Sequence, residues 1–448
     1  MALGTVAFAK KLKDQDGPFV KGTVLEEYSR IELKTAEIAA YMPSEKKLFV
    51  VGDEKIMEVV DVSNPEKLKL AESFMLDGEA TSVTSFGNFV AVSLLAKPSW
   101  EKGFVELLEV SGDSIRKVGV YGVCHHPDML TFTPDGRNIL VACEGEYDRE
   151  HQDVNPDGGV AILNMDSVST GNIPATILPF NDVDIEPEYI TVSPDSRTAW
   201  VSLQENNAIA RIDVENRKID TLFDLGFVDH TRDGFGLDVL KDGKIRIENA
   251  FIRSLRQPDG IKAFEANGKI FVATANEGEE NSKIDSRKIC GNEEKCKMMY
   301  GTRSISLFDG LTGELVWDSG DLLEKTFAEV SPKYFNWNSK KGYAKVDARS
   351  DDKGCEPENI TVGKVGDKLL GFAGLERMSG IATFDFSHVG KPGKTPKLLG
   401  YFMDPKDRGP EGILFIDAEN SPLKGVPLLV VGYEYSKSLV IYKVVVSR

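Results

Sequence analysis

Pro187-Glu188-Tyr189-Ile190, with Glu205 seventeen residues after the first acid, is a phrase that this chain repeats. It returns as Pro127-Asp128-Met129-Leu130 with Glu144, and as Pro258-Asp259-Gly260-Ile261 with Glu277. It returns again as Pro357-Glu358-Asn359-Ile360 with Glu376, and as Pro410-Glu411-Gly412-Ile413 with Glu434. Each copy holds a proline, an acid, an apolar strand, a second acid and a closing strand. Proline has no N–H for a ladder, so it marks a strand's start rather than its middle. Short strands recurring at such intervals are the sequence signature of a β-propeller.

Strand patterns and turn signals around these phrases give seven units, beginning near Ile38, Ser82, Met129, Tyr189, Ile261, Ile360 and Ile413. The expected fold is all-β, a seven-bladed β-propeller closed by pairing of N- and C-terminal strands. Residues 23–448 form its single domain, after an N-terminal extension of residues 1–22. The last unit lacks an outer strand, and Thr23 to Tyr28 is the segment expected to supply it and remove the exposed edge. Asp321 to Val330 is the best short helix.

The chain has 448 residues, 41% of them hydrophobic, enough for a large core. Asp and Glu number 71 against 54 Lys and Arg, a net charge of −17. Such a surface repels nucleic-acid phosphates and attracts cations. No apolar run is long enough to span a membrane, and Met1 to Asp14 lacks the apolar stretch of a signal peptide. The sequon Asn359-Ile360-Thr361 falls in an expected inner strand, where it is not a glycosylation site. Cys290 and Cys296 flank a polar loop and can form a local disulfide.

In a propeller blade the first strand begins, and the second ends, on one face. Both acids of each phrase therefore converge at the mouth of the central channel. These are Asp128, Glu144, Glu188, Glu205, Asp259, Glu277, Glu358, Glu376, Glu411 and Glu434. So many carboxylates in one place need protons, arginines or metal ions, because like charges raise one another's pKa. Arg256, Arg303, Arg349 and Arg377 are the candidate arginines. Hard oxygen donors without His or Cys favour Ca²⁺, with Mg²⁺ second. Asp153, Asn155 and Asp157 in Asp153-Val154-Asn155-Pro156-Asp157-Gly158 match the start of a calcium loop, although Asn164 stands where the closing Glu belongs. No nucleophile motif is present; for an enzyme reading the candidates are His125, beside His126 and Asp128, with Arg303, Arg349 and Arg377.

Leu203-Gln204-Glu205-Asn206-Asn207-Ala208, Ala273-Thr274-Ala275-Asn276-Glu277-Gly278, Arg349-Ser350-Asp351-Asp352-Lys353-Gly354, Gly374-Leu375-Glu376-Arg377 and Gly409-Pro410-Glu411-Gly412 resemble the choice-of-anchor I family from about residue 30 onward. The resemblance implies a secreted or cell-surface propeller linked to biomineralisation or the extracellular matrix. Its partners would be divalent cations and a mineral surface or matrix protein. Bacterial relatives described as atypical alkaline phosphatases imply an alternative, a Ca²⁺-dependent phosphomonoesterase acting on phosphate esters. A protein-binding scaffold without metal is the third reading. Cys143 and Cys355 stand where the family has Asn and Pro, and these departures suggest the two as neighbours.

Overall fold

The computed structural model describes residues 17–22, 24–145, 155–171, 173–180, 184–280, 284–291, 293 and 295–446. The chain is all-β. Its strands form six four-stranded sheets, one five-stranded sheet and one three-stranded sheet. The innermost strands, in chain order, are Ile38–Met42, Glu79–Phe86, Pro127–Phe132, Pro187–Val192, Ile261–Ala266, Pro357–Val365 and Pro410–Ile416. Each packs against the innermost strand of the next sheet, and Pro410–Ile416 packs back on Ile38–Met42. Successive sheets bury their apolar faces against each other: Leu140, Ala142, Val160 and Ile162 of one meet Ala199, Val201, Ala210 and Ile212 of the next. Each fully buried Val, Leu or Ile contributes about 1.5–3 kcal/mol.

The sequence units stop at a third strand, and the outer strands beyond it are largely exposed in several sheets. Lys69–Met75 is exposed along nearly its whole length, and Lys218–Asp224 alternates between exposed and half-buried. The last sheet borrows its outer strand from the N-terminus: Leu25–Glu32 pairs with Ser438–Val444, Leu25 opposite Val444 and Glu32 opposite Ser438. That strand is longer than the segment the sequence pointed to and displaced along the chain. Phe19–Lys21, placed by sequence in the N-terminal extension, adds a further strand to Lys397–Met403. The expected short helix is present at Leu322–Val330.

The cysteines pair differently from the resemblance's suggestion. Cys290 bonds Cys296 as its loop allows, but Cys143 bonds Cys124, and Cys355 is a free buried thiol. The reason is packing: Cys124 and Cys143 share one core cluster, whereas Cys355 sits in another with Phe335 and Met378.

Candidate functional site

A local device sets each carboxylate in place. The residue before the proline is left-handed at His126 (φ 45°), Gln257 (φ 47°), Glu356 (φ 47°) and Gly409 (φ 69°). For a residue other than glycine that conformation costs on the order of 1 kcal/mol or more, and such strain gathers where function needs it. The proline then opens the strand, and the register slips by one residue between Pro127 and Leu130, Pro187 and Ile190, Pro357 and Ile360, and Pro410 and Ile413. A bulge re-aims a side chain at a rim; here the bulged residues include Asp128, Glu188, Glu358 and Glu411. The second acid is tied to the same corner. The N–H groups of Glu144, Glu376 and Glu434 donate to the carbonyls of His126, Glu356 and Gly409 at 2.9, 2.8 and 2.8 Å.

Glycine draws neighbouring corners together. A Cβ on Gly260 would lie 2.5 Å from the Glu358 carbonyl, and one on Gly412 would lie 2.4 Å from that of Glu37. The bare N–H groups donate to those carbonyls instead, at 2.8 and 3.1 Å.

The result is one cavity of about 290 Å³ at the strand starts, lined by Asp128, Glu188, Asp259, Glu358 and Glu411. Two further acids line it that the sequence reading passed over, Glu37 and Asp53. Their spacing of sixteen residues equals that of Asp128 and Glu144, but no proline precedes Glu37. In the remaining sheet Thr81 takes the bulge, donating to the carbonyls of Pro127 and Asp128 at 2.7 and 2.8 Å. Six of the seven inner strands thus bring a carboxylate to the cavity and one brings a hydroxyl.

Among the second acids only Glu277 and Asp53 line this cavity. Glu144 stands 3.7 Å from His126, and Glu205 lies against Glu186. Glu376 is held by Arg377 and the Tyr435 hydroxyl, while Glu434 lies near Lys340 and Asp53. Asn155 donates to Asp184 at 3.4 Å, and neither it nor the exposed Asp157 lines the cavity. Asp153 lies outside the described residues.

The candidate basic residues divide. Arg303 is fully buried away from the cavity. It bonds Glu324 and the carbonyls of Asp238, Ser350 and Asp352, so it holds the 349–354 loop. Arg256 is buried on Asp318 and the Leu225 carbonyl. His126, not His125, reaches the cavity. Arg349 and Arg377 both pair with Glu356, a fully buried acid. The 349–354 loop delivers a further cation. Lys353 Nζ reaches Glu277 Oε1 at 2.5 Å, the Gly278 carbonyl at 2.7 Å and Glu356 at 3.6 Å. Gln204 takes the other oxygen of Glu277 at 2.6 Å.

At the inner-strand acids burial and like charge outweigh these cations. Burial, then the charges of Glu277, Glu411, Glu376 and Asp259, push the Glu358 pKa well up. Glu188, Asp259 and Glu411 are raised by burial and by their neighbours in the same way. Glu37 is pushed up to about 8, first by burial and then by Asp53 and Glu434. One oxygen from each of Asp259, Glu277 and Glu358 lies within 4.8 Å of the others. Oxygens about 2.4 Å from a shared Ca²⁺ can be at most about twice that far apart, so the spacing suits the ion. Glu358 is 9% exposed, and its Oε2 has no hydrogen-bond partner among the described residues. A buried carboxylate oxygen in that state calls for a proton or a cation.

Comparison with known proteins places this geometry. The curated Mesenchyme-specific cell surface glycoprotein of Strongylocentrotus purpuratus is 35% identical over 117 residues, which is 24% of this chain and 15% of that protein. Gigasin-3a of Magallana gigas is 35% identical over 91 residues, 20% of this chain and 32% of that protein. The match therefore spans less than a third of either relative's length. Hydrazine synthase of Kuenenia stuttgartiensis superposes with a TM-score of 0.56 over 93% of this chain and 98% of that one, at 12% identity, a likeness of fold alone. No helix among the described residues is long and apolar enough to cross a membrane. The Choice-of-anchor I domain profile matches residues 37–185, 180–297 and 279–389, and the chain belongs to that family.

Proposed function

We propose that the chain is a seven-bladed, ring-closed β-propeller that works outside the cell and binds a divalent cation, Ca²⁺ before Mg²⁺, at the carboxylate ring. The observation that carries the reading is the ring itself. Six inner strands bring acids to one cavity, and Glu358 Oε2 is buried there with no hydrogen-bond partner among the described residues. Asp259, Glu277 and Glu358, whose oxygens lie within 4.8 Å of one another, are the first ligands, and Glu188 and Glu411 line the same cavity. Ca²⁺ accepts six to eight oxygens in flexible geometry, which fits acids supplied by separate sheets. Two disulfides favour an oxidising compartment, and a relative's name, a cell surface glycoprotein, points the same way. A matrix- or mineral-facing role follows from an ion presented at an open mouth.

The test is thermal unfolding of the full chain in EDTA and in Ca²⁺, for wild type and Glu358→Gln. Ca²⁺ should raise the wild-type melting temperature, as any ligand of the native state does. The variant should melt higher in EDTA, having lost a buried charge, and gain less from Ca²⁺. A wild-type protein freed of metal at the start and indifferent to Ca²⁺ would end the reading. Hydrolysis of p-nitrophenyl phosphate on the same samples decides whether the site is also an esterase.

A further inference from the structure

Beneath the carboxylate ring the channel continues as a second cavity of about 300 Å³, sharing Ile38, Ser82, Met129 and Tyr189 with the first. Its character is different. Three residues beyond Thr81, Asp128, Glu188 and Glu358 stand Thr84, Thr131, Thr191 and Thr361, and three beyond Asp259 stands Lys262, all lining this cavity. Lys262 is the only charged residue in the described lining. Neither an ion pair nor a hydrogen bond joins it to any described residue. The side chain is half-buried, and burial lowers the pKa of its ammonium. Ser82 adds a buried hydroxyl, 2% exposed, whose Oγ also has no partner.

A half-buried ammonium beside hydroxyl groups in a polar cavity is a ready donor set for an anion. We propose that this inner cavity is a binding site for a small oxyanion, held by the Lys262 ammonium with hydroxyls of Ser82 and the threonine layer. The volume accommodates an ion of phosphate or carbonate size with water around it. Charge-assisted hydrogen bonds from the ammonium supply most of the hold, and hydroxyls supply orientation. The six acids above repel an anion passing the mouth. A divalent cation bound there would reverse that repulsion, so anion and cation should bind cooperatively.

Isothermal titration of the full chain with sodium phosphate, in EDTA and in Ca²⁺, tests this with wild type and Lys262→Met. Wild type should bind saturably and more tightly with Ca²⁺; the variant should bind about tenfold more weakly or not at all. In parallel, phosphate should slow acetylation of Lys262 by acetic anhydride, read by peptide mass spectrometry on wild type. This arm decides even if the variant misfolds. Equal phosphate binding by a folded Lys262→Met, or no protection of Lys262, overturns the proposal. Lysine-dependent binding that ignores Ca²⁺ supports the anion site and counts against the cation reading alone, so the two fail separately.

Discussion

Lys353 Nζ lies 2.5 Å from Glu277 Oε1, joining a loop before the sixth sheet to the end of a strand in the fifth. The contact gives Glu277 a directly bonded counter-charge, which Lys353 shares with Glu356. Lys353→Met should leave Glu277 and the buried Glu356 short of a cation. Breaking a largely buried pair from one side costs about 2–4 kcal/mol here, less than the full buried value because both side chains keep some exposure. Urea unfolding in EDTA would measure it. Added Ca²⁺ should recover part of the loss, since a divalent ion can take the vacated charge.

Without metal the protein should lose stability as pH rises. Glu37 and Glu205 are both pushed up to about 8, primarily by burial, from an ordinary value of 4.5. A raised native pKa means the native state holds protons that the unfolded chain has released. Stability then falls between about pH 4.5 and 8. His230 works in the opposite sense: burial lowers its pKa, so its contribution declines as pH drops below 6.5. The raised acids outnumber it. Melting temperatures in EDTA should therefore decline from pH 5.5 to 8.5, and Ca²⁺ should flatten the slope.

Reduction should weaken the fold near the ring. The Cys124–Cys143 bond closes a loop with a sequence separation of 19, and Cys143 directly precedes Glu144. Loop-closure arguments put such a bond at about 3 kcal/mol. The Cys124→Ser, Cys143→Ser double variant, compared with wild type by urea unfolding, should show a loss of that size. A weaker Ca²⁺ response is expected alongside it, because the His126–Glu144 corner is no longer fastened.

Thiol counting checks the pairing directly. Cys355 is wholly buried, and burial drives its thiol pKa far up, so the folded protein should not react with Ellman's reagent. Unfolded without reductant, each chain should release one equivalent, since Cys355 is the single free cysteine.

The repeat was legible because each proline announces a strand start and an acid directly follows it. The five acids on inner strands were readable for that reason, and the structure brings all five to one cavity. Glu37 escaped notice because Thr35-Ala36 precedes it rather than a proline; only the sixteen-residue interval to Asp53 could have revealed it. Lys353 was hidden among acids in Arg349-Ser350-Asp351-Asp352-Lys353-Gly354, and nothing local says that the lysine turns inward while Asp351 faces solvent. Arg303 looked like a site residue from its charge. Its burial on Glu324 and backbone carbonyls depends on a helix far along the chain. The Cys124–Cys143 bond likewise depends on which sheets share a core, which spacing does not encode.

Leu25 sits opposite Val444 in the last sheet, so one of the earliest strands finds its partner only after nearly the whole chain exists. During synthesis, Leu25–Glu32 must wait while every other sheet is laid down. Contacts this distant in sequence are slow to form, because the entropy of closing the loop comes before any gain. The final clasp is therefore also the natural first point of opening. A pull applied at the N-terminal end would peel Phe19–Lys21 and then Leu25–Glu32 from their sheets before disturbing the carboxylates at the mouth.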